Sequence, residues 1–322
     1  MASEESSATA RFGLCLAFRQ MREAASRKQG EVADSLKWSL SKLQRFENGE
    51  STLSANDIEA LAAVYGRTDP HLIQRYREDA RIARRHSGWS KARFRVHLTR
   101  ATRDLLDLET EATVIRTFQT ILVPGPLQTR QLAEFVLDAW GSFLPEDQRE
   151  ARLEARLGRR TRVFDRTDPP EYRLILDEAV FYRVLGGPQI FAEQLRALLA
   201  DIESERIQLR VAPFEIPAII NIPLPFVLLT LRREDQDAVL YRESHLSDEV
   251  ILRPETVHEY SDVFERVWQE SFDAEASQRL LRLHMENLLS LVDRERLATP
   301  SHPRKGSAAT RRRPATPRGA SR

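Results

Sequence analysis

Between Leu14 and Tyr76, apolar residues recur at three- and four-residue intervals in five short runs, each ended by a residue that caps or breaks a helix. Such spacing specifies a bundle of short helices and excludes a sheet, where the period would be two. Leu14, Phe18, Met21 and Ala25 mark the first helix, with Arg19 and Arg22 expected on its outer side. The second covers 27–36, with Val32, Ala33 and Leu36 inward. A three-residue break, Lys37-Trp38-Ser39, leads to the third, Leu40–Glu47, in which Leu43 and Phe46 point to the core. Ser39 suits an N-cap because its hydroxyl oxygen can accept a free N–H of the first turn. Asn48-Gly49 ends that helix, since both residues tolerate positive φ. Ser54 with Asp57 reads as a capping box ahead of Ile58, Leu61 and Val64. Asp69-Pro70 then opens a fifth helix carrying Leu72, Ile73 and Tyr76.

The formal net charge of +1 averages over segments of opposite sign. Residues 11–103 carry 19 basic and 10 acidic side chains, residues 104–297 carry 23 and 36, and residues 298–322 carry 7 and none. A basic front, an acidic body and a basic tail imply different partners for each. The single cysteine, Cys15, excludes an internal disulfide and a Cys-based zinc site and fits a reducing cytoplasm. No apolar run approaches the ~20 residues that span a bilayer, and the acidic, polar start lacks a signal-peptide core. The expected location is cytoplasmic, at the nucleoid, with no membrane contact.

A chain of 322 residues suggests about two domains. Residues 1–10 show no periodicity and are expected to be disordered, 11–85 form the helical domain, and 86–103 form a basic connector. Residues 104–297 form an acidic body, and 298–322 a disordered tail too poor in apolar residues to order itself. Within the body, 114–118, 172–176, 206–211, 226–231 and 238–241 read as strands. Helical patterns cover 132–140, 150–163, 188–202, 255–268 and 274–292. The fold class is therefore an all-α N-terminal domain followed by an α+β domain.

Five short helices with a tight turn between the second and third are the plan of a helix-turn-helix DNA-binding domain. The stretch Gln29-Gly30-Glu31-Val32-Ala33, followed by Trp38 through Glu47-Asn48-Gly49, resembles the lambda-repressor-like (Cro/CI, Xre-type) family. That resemblance implies a recognition helix, 40–47, lying in the major groove. Leu40, Ser41, Gln44 and Arg45 would then read bases: Arg45 suits guanine, Gln44 adenine, and Leu40 a thymine methyl. Gln29, Ser39, Lys42 and Asn48 would contact phosphates, which set register rather than sequence preference. Two positions depart from the pattern. Lys37 stands where Gly is frequent, and Lys28 replaces the usual hydroxyl cap, so Ser26 is expected to cap one turn earlier. Trp38 is read as a core plug rather than a base wedge.

The body also carries a resemblance. Leu108-Glu109-Thr110-Glu111-Ala112, Val123-Pro124-Gly125-Pro126-Leu127-Gln128-Thr129 and Arg152-Leu153-Glu154-Ala155-Arg156 are similar to a group of Xre-type regulators common in filamentous actinobacteria. Asp177-Glu178-Ala179, Gly186-Gly187 and Gln194-Leu195 belong to the same likeness. The group's C-terminal domain is antitoxin-like; its usual turn has Leu where this chain has Pro126. The likeness implies a regulator accompanied by a small acidic partner protein. Residues 123–129 are read as a buried structural turn in preference to a ligand contact.

No Walker A loop, Gly-x-Gly-x-x-Gly, Gly-x-Ser-x-Gly or His-Glu-x-x-His occurs. The seven histidines lack metal spacing, so no catalytic residue, cofactor or metal is expected. Asp177 and Glu178 are read as a cap or salt bridge. Arg152, Arg156, Arg159 and Arg160 are read as a solvated helix face in preference to an anion site. The primary expectation is a sequence-specific transcriptional regulator that binds double-stranded DNA as a homodimer on a near-palindrome. The alternatives are an antitoxin-like module holding a small acidic protein and a ligand-sensing regulator, with an enzyme last. The tail either adds non-specific phosphate affinity or only solubilises.

Overall fold

The computed structural model describes residues 6–85, 97–139, 145–217, 225–231, 238–242 and 248–298. Helix α1 (Ser7–Ala24) already begins inside the stretch expected to be disordered. Ser6 caps it by accepting the Thr9 N–H at 3.1 Å, and Ala8, Thr9 and Ala10 are buried. A turn of such small residues shows no amphipathic contrast, so its burial depends on partners distant in the chain. Helices α2 (Gln29–Ser35), α3 (Leu40–Glu47), α4 (Ala55–Val64) and α5 (Pro70–Ile82) follow where the apolar spacing requires them. Phe18 lies at the centre of their core and meets Phe46 edge-on at 6.0 Å, with Val32, Leu43, Ile58 and Leu61 also fully buried.

Capping corrects one expectation. Ser26 does not cap α2. It takes a left-handed φ of 53° after α1, and the Glu31 carboxylate instead reaches back to accept the Lys28 N–H at 3.2 Å. Ser39, by contrast, accepts the Lys42 N–H at 3.3 Å, and Ser54 with Asp57 forms the capping box of α4.

The body runs α6 (Arg100–Glu109), β1 (Ala112–Gln119), a 3-10 turn (Gly125–Leu127), α7 (Arg130–Ala139), α8 (Glu146–Phe164) and β2 (Glu171–Asp177). It continues with α9 (Ala179–Tyr182), α10 (Gly187–Glu203), β3 (Gln208–Ala212), β4 (Phe226–Leu231), β5 (Val239–Arg242) and β6 (Glu249–Ile251). Helices α11 (Pro254–Glu270) and α12 (Ala274–Ala298) close it. One six-stranded sheet has the order β3-β2-β1-β4-β5-β6, with β1, β2 and β3 parallel and the remaining pairs antiparallel. The class is α+β, as expected. Much of the connector (86–96), Trp140 and nearly all of the tail lie outside the described residues.

Strand alternation feeds two cores. Phe118, Ile175, Phe226, Leu228 and Leu240 turn to the face covered by Phe264 and Trp268 of α11. Leu174, Leu176, Leu229, Val239 and Tyr241 turn to the other face, and that core runs on without a break into Phe12, Phe18 and Phe46 of the front. The 123–129 turn is buried. Gln128 donates to the Val123 carbonyl at 2.7 Å, and Gln194 brackets the turn by donating to Leu127 O and accepting from Thr129 N. Asp177 caps α9 by accepting the Ala179 N–H at 2.8 Å. Arg159 and Arg160 are not on a solvated face. They grip the buried carboxylates of Glu109 and Asp201, because the α8 face that carries them is turned toward α6 and α10.

Gly49 marks where front and body meet. At φ +73°, an added Cβ there would lie 2.5 Å from the Phe12 ring and 3.3 Å from Leu252. Gly49→Ala is expected to lower stability by about 1–3 kcal/mol, from left-handed strain and overpacking together. An unchanged urea midpoint would contradict this close fit.

Cys15 is fully buried on α1, and burial pushes its thiol up from 9.0 to about 12. Because the folded value is raised, this contribution to stability is complete below pH 9 and is lost as pH climbs from 9 towards 12. The native chain should therefore resist thiol-specific disulfide reagents at pH 8 and react rapidly in urea. Fast labelling of the folded chain would show that α1 is not packed as described.

Candidate nucleic-acid interface

Helix α3 divides its residues sharply between two faces. Leu43, Phe46 and Glu47 are buried, whereas Leu40, Ser41, Gln44 and Arg45 are exposed, Leu40 to 46%. The four exposed positions are i, i+1, i+4 and i+5, which share one side of a helix. Arg45 folds back through Nε to the Ser41 carbonyl at 3.3 Å and keeps the rest of its guanidinium in solvent. The four expected base-reading residues therefore form one continuous outward strip. It begins at the helix N-terminus, the end at which a recognition helix meets base edges.

Burying Glu47 requires partners, and the structure supplies three side chains. Arg22 donates to both carboxylate oxygens at 2.7 and 3.0 Å, and Gln29 Nε2 donates at 2.7 Å. Arg19 donates to the Glu47 backbone carbonyl at 2.7 Å and to the Leu252 carbonyl of the body at 3.1 Å. Bonding to Glu47 holds the Arg22 guanidinium above its ordinary range despite burial. Both arginines were expected to face outward; they face inward because Glu47 needs them. The sequence carried a signal for this, since Glu47 falls on the i, i+4 stripe of Leu43.

The turn between α2 and α3 holds Lys37 at φ 55°, with the Lys37 and Trp38 N–H groups bonded to Asp34 and Ala33 carbonyls at 3.1 and 2.9 Å. Lys37 thus takes the left-handed position that Gly usually fills, at a cost of ~1 kcal/mol. Trp38 is half-buried and packs on the core, as a plug would.

The four expected phosphate-contacting residues are each engaged within the front. Gln29 is bound to Glu47. Lys42 Nζ lies 2.9 Å from Asp57 and 3.9 Å from the Trp38 ring centroid. Burial pushes the Asp57 carboxyl up, but bonds from Lys42 and Ser54 outweigh it and hold the group below its usual range. Ser39 is spent on its cap, and Asn48 donates to Glu50 at 3.3 Å. All four border the exposed strip without standing on it. Among the described residues no group of three His, Cys, Asp or Glu side chains could hold a metal, and no helix is long and apolar enough to cross a membrane.

Glu47→Ala should cost about 3–5 kcal/mol, since it strands Arg22 without its carboxylate in a buried site. Thermal unfolding of the purified variant tests this, and a loss below 1 kcal/mol would mean that the carboxylate is not organising the helices.

Residues 14–75 match a family model described as a helix-turn-helix domain, and residues 102–283 match one described as a domain of unknown function, DUF5753. No curated protein and no solved structure matches the chain. A helix-turn-helix front is the mark of a DNA-binding regulator rather than of an enzyme.

Proposed function

The chain belongs to the DUF5753 family, and we propose that it is a sequence-specific transcriptional regulator of the Xre (Cro/CI) type. It reads the major groove with α3. Leu40, Ser41, Gln44 and Arg45 contact base edges, while Gln29, Ser39, Lys42 and Asn48 flank them where phosphates pass. The observation that carries this reading is the exposure of Leu40, an apolar side chain left in solvent at the N-terminal end of an otherwise anchored helix. A thymine methyl would cover it, and Arg45 one turn further has a free guanidinium edge for guanine.

The domain boundaries follow the same division. Residues 11–85 bind DNA, 86–103 connect, 104–297 regulate, and 298–322 add basic charge. A net acidic body would be repelled by phosphates, which favours its standing away from the duplex. Helix-turn-helix proteins commonly pair on half-sites one turn, ~34 Å, apart, and a homodimer on a near-palindrome is proposed on that ground. The setting is the cytoplasm, at the nucleoid. An antitoxin-like task, holding a small acidic partner protein, rests on the likeness of the body's motifs to such regulators.

Binding sites selected from a random DNA pool give the test. Arg45→Ala should cost about 1–3 kcal/mol on the selected site and relax preference at one base pair. Equal losses on selected and random DNA would remove Arg45 from base reading. Sedimentation that finds monomers both free and on DNA would refute the dimer.

A further inference from the structure

Beneath α6 lies a partly open cavity of about 260 Å³. Arg152, Arg156 and Arg159 line it from α8, at i, i+4 and i+7 on one helix face. Arg159 is matched by Glu109 at 2.6 and 2.9 Å, and Arg156 donates to the neutral Gln128 amide at 2.7 Å. Arg152 has no carboxylate within ion-pair distance among the described residues, and its Nε is buried without a hydrogen-bond acceptor. His97, on the same cavity, turns Nε2 to Asp147 at 3.8 Å and leaves Nδ1 buried without a partner. Among the described residues Asp248 is the one acid in the lining, held by the hydroxyls of Thr102 at 3.0 Å and Thr99 at 3.4 Å. Leu105, Leu106, Leu137 and Tyr241 make the remaining wall largely apolar.

Buried donors without acceptors are costly, and few survive in folded proteins without a reason. One such donor, on Arg152, beside the guanidinium groups of Arg156 and Arg159 calls for an anion, and the leucines and tyrosine call for an apolar body attached to it. A planar carboxylate matches the donor fork of arginine. We propose that this cavity binds a small carboxylate with an apolar body, held at Arg152 and Arg156, and that its occupancy is relayed to the recognition helix through α6. The relay rests on the DNA-binding reading above; the site does not. At about 30 Å³ per water-sized group, the volume holds roughly nine such groups, the scale of benzoate.

Helix α6 touches both ends of the proposed path. Thr99 and Thr102 hold Asp248 at the cavity. Between and beyond them, Arg100 donates to the carbonyls of Gly49 and Glu50 just past α3, and Asp104 pairs with Arg11 of α1 at 2.7 Å. A carboxylate arriving at Arg152 repels Asp248 and weakens its bonds to the two threonines. The first turn of α6, which also carries Arg100, then loses one of its anchors.

Calorimetric titration of the full chain with benzoate, and with benzamide as the neutral isostere, tests the site. Benzoate should bind at least about tenfold tighter than benzamide, and R152Q should lose about tenfold, as a charge-assisted pair implies. Leu137→Phe fills the apolar end and should weaken benzoate similarly, which keeps the test decisive if R152Q fails to fold. Equal binding of the two probes, wild-type affinity in both variants, or no heat with tens of millimolar benzoate would overturn the site. Fluorescence anisotropy on selected DNA tests the relay: benzoate should shift DNA affinity by about fivefold or more in the wild type and not in R152Q. Benzoate binding without that shift would overturn the relay alone. A chain that binds no DNA with or without benzoate would overturn the DNA-binding reading, and the relay with it, whatever the calorimetry returns.

Discussion

The helical front is organised around the desolvated carboxylate of Glu47. Taking such a charge out of water costs several kcal/mol, and the cost is tolerable only if its oxygens are fully bonded. Here Arg22 and Gln29 saturate them. The three side chains come from α1, α2 and α3, so satisfying one charge fixes three helices relative to one another. The direction in which Leu40, Ser41, Gln44 and Arg45 point follows from that constraint, because all four ride on the helix that ends in Glu47.

Arg19 extends the constraint beyond the front. Its guanidinium spans the Glu47 carbonyl and the Leu252 carbonyl, and Arg100 reaches back from α6 to Gly49 and Glu50. The end of α3 is thus held from both sides by guanidinium–carbonyl bonds, each worth more than a neutral pair because the donor is charged. Helix α1 lies across the junction, with its first turns against α6 and its last against α3 and α5. Front and body share a continuous apolar core along it, which packs the body directly against the helical front.

Much of this was legible from residue order. The bounds of α3 are those set by Ser39 and Asn48-Gly49, and five of the six strands lie where β-branched and aliphatic residues cluster. Those signals are local: a cap, a break or a period reports on a few residues at a time. The start of α1 was hidden because Ala8, Thr9 and Ala10 are alike in polarity and are buried by partners a hundred residues away. Strand β6 is three residues long, too short for a period to register. The arginines were the main misreading. Arg19, Arg22, Arg159 and Arg160 look like solvated charges until Glu47, Glu109 and Asp201 are brought beside them, and periodicity is silent about such pairings. Gln29 and Lys42, expected at phosphates by residue type, are also bonded within the front, to Glu47 and Asp57, which periodicity does not report.

The bond from Arg19 to Leu252 joins residues 233 positions apart, and synthesis gives that separation a duration. At roughly 5–20 residues per second, the ribosome delivers Leu252 on the order of ten to forty seconds after α3 has been made. Throughout that interval Arg19 lacks the Leu252 carbonyl that it bonds in the finished fold. A nascent chain can assemble its helices early, yet the Arg19 side of α3 is not completed until the last third of the protein is made. Vectorial synthesis therefore postpones the finished setting of α3 to the arrival of β6 and Leu252, so that truncated products are left with an incompletely supported third helix.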